Sequence, residues 1–452
     1  MHRYDAGMDE LAEAVFAFAL RRARADAGPG GVPLGHPQSP EALDAAAGRT
    51  ITPEGIGAAE ALRVFADVLE PACLSSDSPR YLAFVPTAPS EVSILADLVV
   101  SACSIYAGSW LEGAGAVWAE NQALRWLADL AGLPPSTGGC FVSGGTNGNL
   151  SALVTARNAA TVALAEAGRS RPPRWAVVVS DGTHSSVHSA ADVMDADLLV
   201  IPGDRLTGDG LAPVLAAEGQ RVAAVVATAG TTNLGLVDDL DGVAAACEEA
   251  DVWLHVDAAY GGAALAAPSV RSRFAGVERA DSLIVDPHKW LFAPFDVCAL
   301  LYRNPVLARA AHVQHAAYLD VLYGDAWNPS DYAVHLTRRA RGLPFWFSLA
   351  AHGTDAYAEA VEAGLRVTRE AADLVRDAPH LELVVEPELS VLAFRRSGWE
   401  AEDYVAWSDR MLQSGLAFVV PSSHAGRPML RLCVVNPRTT LDDMRMIFDS
   451  LR

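Results

Sequence analysis

One lysine stands among 34 basic side chains, and it sits where an amine could act as a nucleophile. Lys289 lies in the stretch DSLIVDPHKWLF, directly after an apolar run with the length of a strand, between His288 and Trp290. The remaining 34 − 1 = 33 basic side chains are arginine. A guanidinium keeps its proton, whereas a desolvated ammonium can have its pKa lowered and then attack a carbonyl carbon. Codon bias would explain why lysine is scarce, but not where the surviving lysine sits.

Other reactive types follow neighbouring apolar runs. Asp257, in WLHVDAAYGG, comes after residues 252–256, and the small residues behind it let a flat ligand approach the backbone. A carboxylate there can pair with a protonated ring nitrogen, the partner that pyridoxal phosphate needs as an electron sink. A turn or capping role competes with that use. His184, in DGTHSSVHSA after residues 175–180, could stack on such a ring or cap a helix. The turn in FVSGGTNGNLSAL places Gly144, Gly145, Thr146, Asn147 and Gly148 before a helical run. Backbone N–H groups and a helix amino terminus converge on an anion in such a turn. It matches neither the phosphate loop ending in Gly-Lys-Ser/Thr nor the dinucleotide fingerprint. TAGTTNLG adds the hydroxyls of Thr231 and Thr232 after residues 222–227.

The elements that must position these groups are short apolar runs alternating with Ala-rich helical stretches. Strands are expected over residues 175–180, 198–201, 222–227, 252–256, 282–285 and 297–302, with helices over 149–166 and 240–249. That alternation implies a mostly parallel sheet covered on both faces, with ligands bound beyond the carboxyl ends of its strands. Before it lies a helical arm with a Gly- and Pro-rich stretch over residues 27–40. After it, a helix over 356–377 and strands over 381–385, 391–394, 416–420 and 429–435 suggest a smaller α+β region. The expected divisions are an arm over 1–88, a large α/β domain over 89–344 and a small domain over 345–452.

Composition narrows the field. A length of 452 residues allows two or three domains at roughly 150 residues each, and 51% hydrophobic residues suffice for a large core. The net charge of −21 disfavours nucleic acid and anionic membranes, both of which are bound through positive patches. Six scattered cysteines form no CxxC pair or Cys/His cluster, which argues against a zinc site or disulfide framework and suits a reducing cytoplasm. Residues 11–20 read as an amphipathic helix interrupted by Glu13, not a signal peptide, and residues 94–107 are too short to cross a bilayer. A soluble, cytoplasmic protein without a membrane or nucleic-acid partner is expected.

The order of glycine turn, histidine, threonine pair, strand-end aspartate and lysine resembles the fold-type I pyridoxal-phosphate enzymes. Within them it is similar to the group II amino-acid decarboxylases, through HVDAAYGG followed about thirty residues later by DPHKW, with FVPTAPS and SGGTNGN upstream. The resemblance runs from about Pro79 to the end. It implies that Lys289 anchors pyridoxal phosphate covalently, Asp257 pairs with the ring nitrogen, and His184 stacks on the ring face opposite Ala259. It places Gly145, Thr146, Asn147 and His288 around the phosphate and Thr232 close to the cofactor. Thr87 would approach the reacting group. Phe84, Tyr106 and Trp110 would line the substrate pocket, partly from the other subunit of a homodimer. Tyr318, in AAYLD, matches a loop tyrosine that favours non-oxidative decarboxylation, and Thr337 falls near the substrate side chain. Arg431 would contact a carboxylate or serve an ion pair. Asp286 departs from the Asn or Ser of many members. The implied reaction is decarboxylation of an L-amino acid, aromatic by preference. Aldehyde-forming oxidative deamination, transamination, and a non-catalytic role in binding the cofactor or a partner protein are the alternatives.

Overall fold

The computed structural model describes Tyr4 and residues 6–26, 32–314 and 326–452. Seven strands form the central sheet: β1 Gly138–Val142, β2 Ala176–Ser180, β3 Asp197–Ile201, β4 Val222–Thr228, β5 Trp253–Asp257, β6 Ser282–Val285 and β7 Cys298–Tyr302. Their order is β1-β7-β6-β5-β4-β2-β3. The β3-β2-β4-β5-β6 block is parallel, and β7 runs antiparallel to both β6 and β1.

Both faces are buried because successive side chains of an apolar strand point to opposite sides. Val178 packs with Leu254, Val256, Leu283 and Val285 on one face, whereas Val177 and Val179 pack with Leu153 and Ala156 of the helix Gly145–Glu166 on the other. Each such valine contributes roughly 1.5–3 kcal/mol of burial. The helix lies close because Gly148 faces the sheet. A Cβ there would stand 2.8 Å from Ile284 and 3.1 Å from the Cys298 sulfur.

A second sheet of β8 Leu381–Leu383, β9 Val391–Arg396, β10 Pro421–His424 and β11 Arg427–Cys433 is antiparallel, in the order β10-β11-β9-β8. It packs with the helices Thr354–Asp377, Ala401–Gln413 and Leu441–Asp449 around Phe394, Trp407, Leu432 and Ile447. The amino-terminal part is helical, with Ala6–Asp26 tied by Arg22 to Glu70 and Asp77. Among the described residues no helix is long and apolar enough to cross a membrane, and no His/Cys/Asp/Glu group is arranged to hold a metal.

Two strand assignments differ from the sequence reading. β1 went unrecognised because it opens on Gly138 and Gly139, residues that read as a turn. At Gly139 a Cβ would stand 1.8 Å from the Leu300 carbonyl oxygen, so the strand can approach β7 only without a side chain. Residues 416–420 were expected to form a strand, but only Phe418 forms a bridge there, to Tyr81, and the strand falls on the polar β10 segment. An edge strand with one bonded neighbour carries little apolar alternation to reveal it.

Candidate active site

β2, β4, β5 and β6 end at one edge of the sheet, and the segments after them meet in a cavity of about 340 Å³. Lys289 enters it from the short helix Pro287–Trp290, which begins two residues after β6. Asp257 is the last residue of β5, with its Oδ1 accepting from the Ala259 N–H at 3.1 Å. His184 caps the helix Ser185–Val193 and lines the wall, as do Gly145, Thr146, Thr232, Ala259 and His288. The competing capping role is therefore realised at His184 alongside its place in the cavity.

Asp257 and His184 are joined by a hydrogen-bond chain that has a fixed direction. Trp253 Nε1 donates to Ser282 Oγ at 2.8 Å, and Ser282 Oγ lies 2.8 Å from His255 Nδ1. His255 Nε2 lies 2.8 Å from Asn149 Oδ1, and Asn149 Nδ2 donates to Asp257 Oδ2 and Ser186 Oγ, both at 2.9 Å. Burial, opposed by the Asp257 charge, pushes the His255 pKa down to about 4 and keeps the ring neutral. A carboxylate only accepts, so the amide nitrogen of Asn149 must face Asp257 and its oxygen must accept from His255. His255 therefore donates from Nε2 and accepts at Nδ1 from Ser282. At the far end, the Ser186 backbone N–H donates to His184 Nδ1 at 3.1 Å, and Ser186 Oγ lies 2.8 Å from the same atom. Nδ1 is thus an acceptor, and the ring hydrogen sits on Nε2.

The local sequence explains this chain. His255 and Asp257 are two apart on one strand and share a face, and Asn149 lies in the helix that covers that face. The chain carries a stability prediction. Asn149→Leu strands the buried ring nitrogen of His255 and removes a donor from Asp257, at a cost of about 1–3 kcal/mol per stranded group. Urea unfolding should show the lowered midpoint; an unchanged midpoint would remove the structural role of the chain.

The donor set fits pyridoxal phosphate. A carboxylate and a lysine amine share the cavity, with the glycine turn alongside. A Cβ at Gly145 would stand 3.2 Å from Asp286 Oδ2 and 3.4 Å from the Ala259 side chain, filling space at the turn. The buried Thr228 Oγ1 has no protein partner among the described residues, although Thr228 lines the cavity. A bound group can satisfy it.

Asp286 is 2% exposed, and its Oδ2 lies 2.9 Å from Lys289 Nζ and 3.7 Å from His288 Nε2. Burial favours the neutral form of each partner, but their mutual attraction outweighs it. The Asp286 carboxyl is held below its ordinary range and the Lys289 ammonium above its own. His288 goes the other way, because burial outweighs the nearby carboxylate and lowers its pKa.

Several expected site residues lie elsewhere in the single chain. Asn147 turns its Oδ1 to Ser151 Oγ at 3.2 Å, outside the cavity lining. Thr87 is buried and donates to the Ala293 carbonyl at 3.1 Å. Tyr106 donates to the Leu336 carbonyl at 3.1 Å, and the Trp110 N–H donates to Asn328 Oδ1 at 3.0 Å. Phe84 is exposed beside Phe418, with its backbone at φ 53°, and Thr337 is exposed. Arg431 is buried on β11, with Nε and Nη2 lacking partners among the described residues. Tyr318 lies outside the described residues. The sequence reading did not single out Asn149, Ser186, Thr228 or His255.

The chain is similar to known proteins over most of its length. The pyridoxal-dependent decarboxylase conserved domain matches residues 57–397. An aromatic-L-amino-acid decarboxylase of Bacillus atrophaeus is 32% identical over 399 residues, covering 83% of this chain and 81% of its own. An L-2,4-diaminobutyrate decarboxylase of Rhizobium meliloti (strain 1021) is 32% identical over 392 residues, covering 82% of this chain and 77% of its own. The crystal structure of Oryza sativa TDC with PLP and tryptamine superposes with a TM-score of 0.90 at 25% identity, over 100% of this chain and 98% of that one.

Proposed function

The chain belongs to the pyridoxal-dependent decarboxylase family, and from that premise we propose that it removes the carboxylate of an aromatic L-amino acid, giving the amine and carbon dioxide. Its coarser identity, a pyridoxal-phosphate-dependent amino-acid decarboxylase, follows from the family. The observation that carries the reading is the shared cavity of Lys289, Asp257 and His184 beside a glycine turn.

Bound pyridoxal phosphate supplies a sink for the electron pair left when the bond to the carboxylate breaks. Lys289 would anchor it through Nζ, and Asp257, oriented by Asn149, would hold a proton at the ring nitrogen. Gly145, Thr146 and His288 would hold the phosphate, and Thr232 and Ala259 would flank the ring. His184, whose Nε2 carries the ring hydrogen, and Tyr318 are the candidate donors of the proton that the α-carbon takes up.

The substrate preference draws support from the Bacillus relative's name, whereas Phe84, Tyr106 and Trp110 lie outside this chain's own cavity lining. The Rhizobium relative's name points to a basic substrate instead. A homodimer completes the proposal. Ile94, Leu95, Leu98, Val99, Leu111 and Trp118 are exposed on the adjoining helices Glu91–Cys103 and Trp110–Leu130, an apolar surface that a second copy would cover. All six cysteines are free, in keeping with a reducing cytoplasm.

A panel of aromatic, basic and acidic L-amino acids, assayed together for carbon dioxide, amine, aldehyde and ammonia, tests the proposal. Aromatic substrates should release carbon dioxide and amine in equal amounts. Aldehyde with ammonia as the main product would overturn non-oxidative decarboxylation, and preference for a basic or acidic side chain would overturn the aromatic assignment.

A further inference from the structure

Three carboxylates line the cavity, Asp257, Asp286 and Asp296; Asp296 pairs with Arg341, and the one beside the anchor amine is Asp286, the residue that departs from the family pattern. Its Oδ2 is 2.9 Å from Lys289 Nζ, and its Oδ1 has no partner among the described residues. The groups that face it come from four elements. His288 and Lys289 lie on its own turn, the Cys298 thiol faces it from β7, and Gly145 faces it from the glycine turn. Asp257 acts on the same ammonium from β5. Burial pushes the Cys298 thiol well above its ordinary value and lowers the pKa of His288, so neither neutralises Asp286. Lys289 is therefore the cation that this carboxylate serves.

That relation outlasts cofactor capture, because the charge on Nζ is conserved. When the ammonium condenses with the cofactor's aldehyde, the nitrogen forms a double bond to the aldehyde carbon. Two of its hydrogens leave with the aldehyde oxygen as water, and the third stays on nitrogen. One positive charge is present before and after, so the same buried oxygen would face a cation in both states. We propose that Asp286 is the counter-ion of the anchor nitrogen, holding Lys289 Nζ charged in the unlinked chain and holding the carbon–nitrogen linkage charged once the cofactor is bound. The charged linkage is the more electrophilic form, ready for attack by a substrate amine. This assignment rests on the cofactor reading above.

Two titrations test it without reference to turnover. In the cofactor-loaded protein, the visible absorbance of the linkage is followed against pH in wild type, Asp286→Asn and Asp286→Glu. An opposite charge at this distance shifts a pKa by about 1–3 units, so Asp286→Asn should lower the midpoint by at least one unit and Asp286→Glu should restore most of it. In cofactor-free protein, the rate of acetylation of the Lys289 peptide against pH, read by mass spectrometry, reports the amine directly. Its midpoint should also fall in Asp286→Asn. Midpoints that stay within a few tenths of a unit of wild type in both titrations would overturn the proposal. If wild type forms no visible linkage with pyridoxal phosphate, the cofactor reading fails, while the acetylation titration still decides whether Asp286 is the counter-ion of the amine.

Discussion

Lys289→Arg should abolish covalent capture of pyridoxal phosphate and lower kcat by on the order of 10⁴-fold or more, the scale seen when a covalent group is deleted from a catalytic unit. The substitution isolates chemistry from folding. A guanidinium can still pair with the buried Asp286, so the charge balance beneath the cavity survives. What is lost is a nitrogen that can shed protons and form a double bond to carbon. The chain has a single lysine, so no neighbouring side-chain amine can substitute. Borohydride treatment of the loaded wild type should fix the cofactor on one internal peptide, the one containing Lys289, and on none in Lys289→Arg. Retention of the visible band with substantial turnover in the variant, or label on another internal peptide, would remove Lys289 as anchor.

The largest stability effect is expected at Arg338 and Glu120. Their side chains are 1% and 2% exposed, and Arg338 donates from Nη1 and Nη2 to the two carboxylate oxygens at 2.7 and 2.8 Å. Arg338 Nη1 also donates to the Ala107 carbonyl at 2.6 Å, and the Gly342 N–H donates to Glu120 Oε1 at 2.8 Å. Burial opposes the charge on Arg338, but Glu120 outweighs it and raises its pKa. Removing one partner leaves the other charged without compensation, so Arg338→Met or Glu120→Leu should each cost about 3–5 kcal/mol. The double variant should recover part of that loss, because no buried charge remains. It should not recover all of it, since Ala107 and Gly342 still lose their partners. A double-mutant cycle by urea unfolding measures the coupling, and single variants within 1 kcal/mol of wild type would contradict the argument. The pair clamps the segment around Tyr106 to the segment around Thr337, two residues that the family resemblance places near the substrate, so milder variants should disturb KM before they unfold the chain.

Legibility in the sequence followed the physics of each feature. Lys289, Asp257 and His184 were readable because a parallel sheet puts its chemistry just past the ends of apolar runs, and those runs differ by at most a residue or two from β2 to β7. The glycine turn was readable as an anion site, but its helix begins at Gly145, four residues earlier than its apolar pattern suggested. β1 was hidden because the glycines that permit its close approach to β7 carry the signature of a turn. The chain from Trp253 to Asn149 was hidden for another reason. His255 and Asp257 have the spacing of one strand face, which was available, but their meeting with Asn149 depends on how the much earlier helix Gly145–Glu166 lies across the sheet. Arg338 and Glu120 are 218 residues apart, and no local period links them. The small-domain edge strand carried too little apolar signal to be placed correctly.

The direction of the hydrogen-bond chain beneath Asp257 has a consequence for how protons travel. A proton wire works by letting every member donate on one side and accept on the other, then reversing all of them together. The Trp253 indole N–H can donate but not accept, and the Asn149 amide cannot exchange the roles of its two ends while it faces a carboxylate. The chain therefore has one permanent polarity and conducts nothing. It insulates the floor of the cavity, so the protons consumed at the α-carbon must enter from the open side, where the substrate binds.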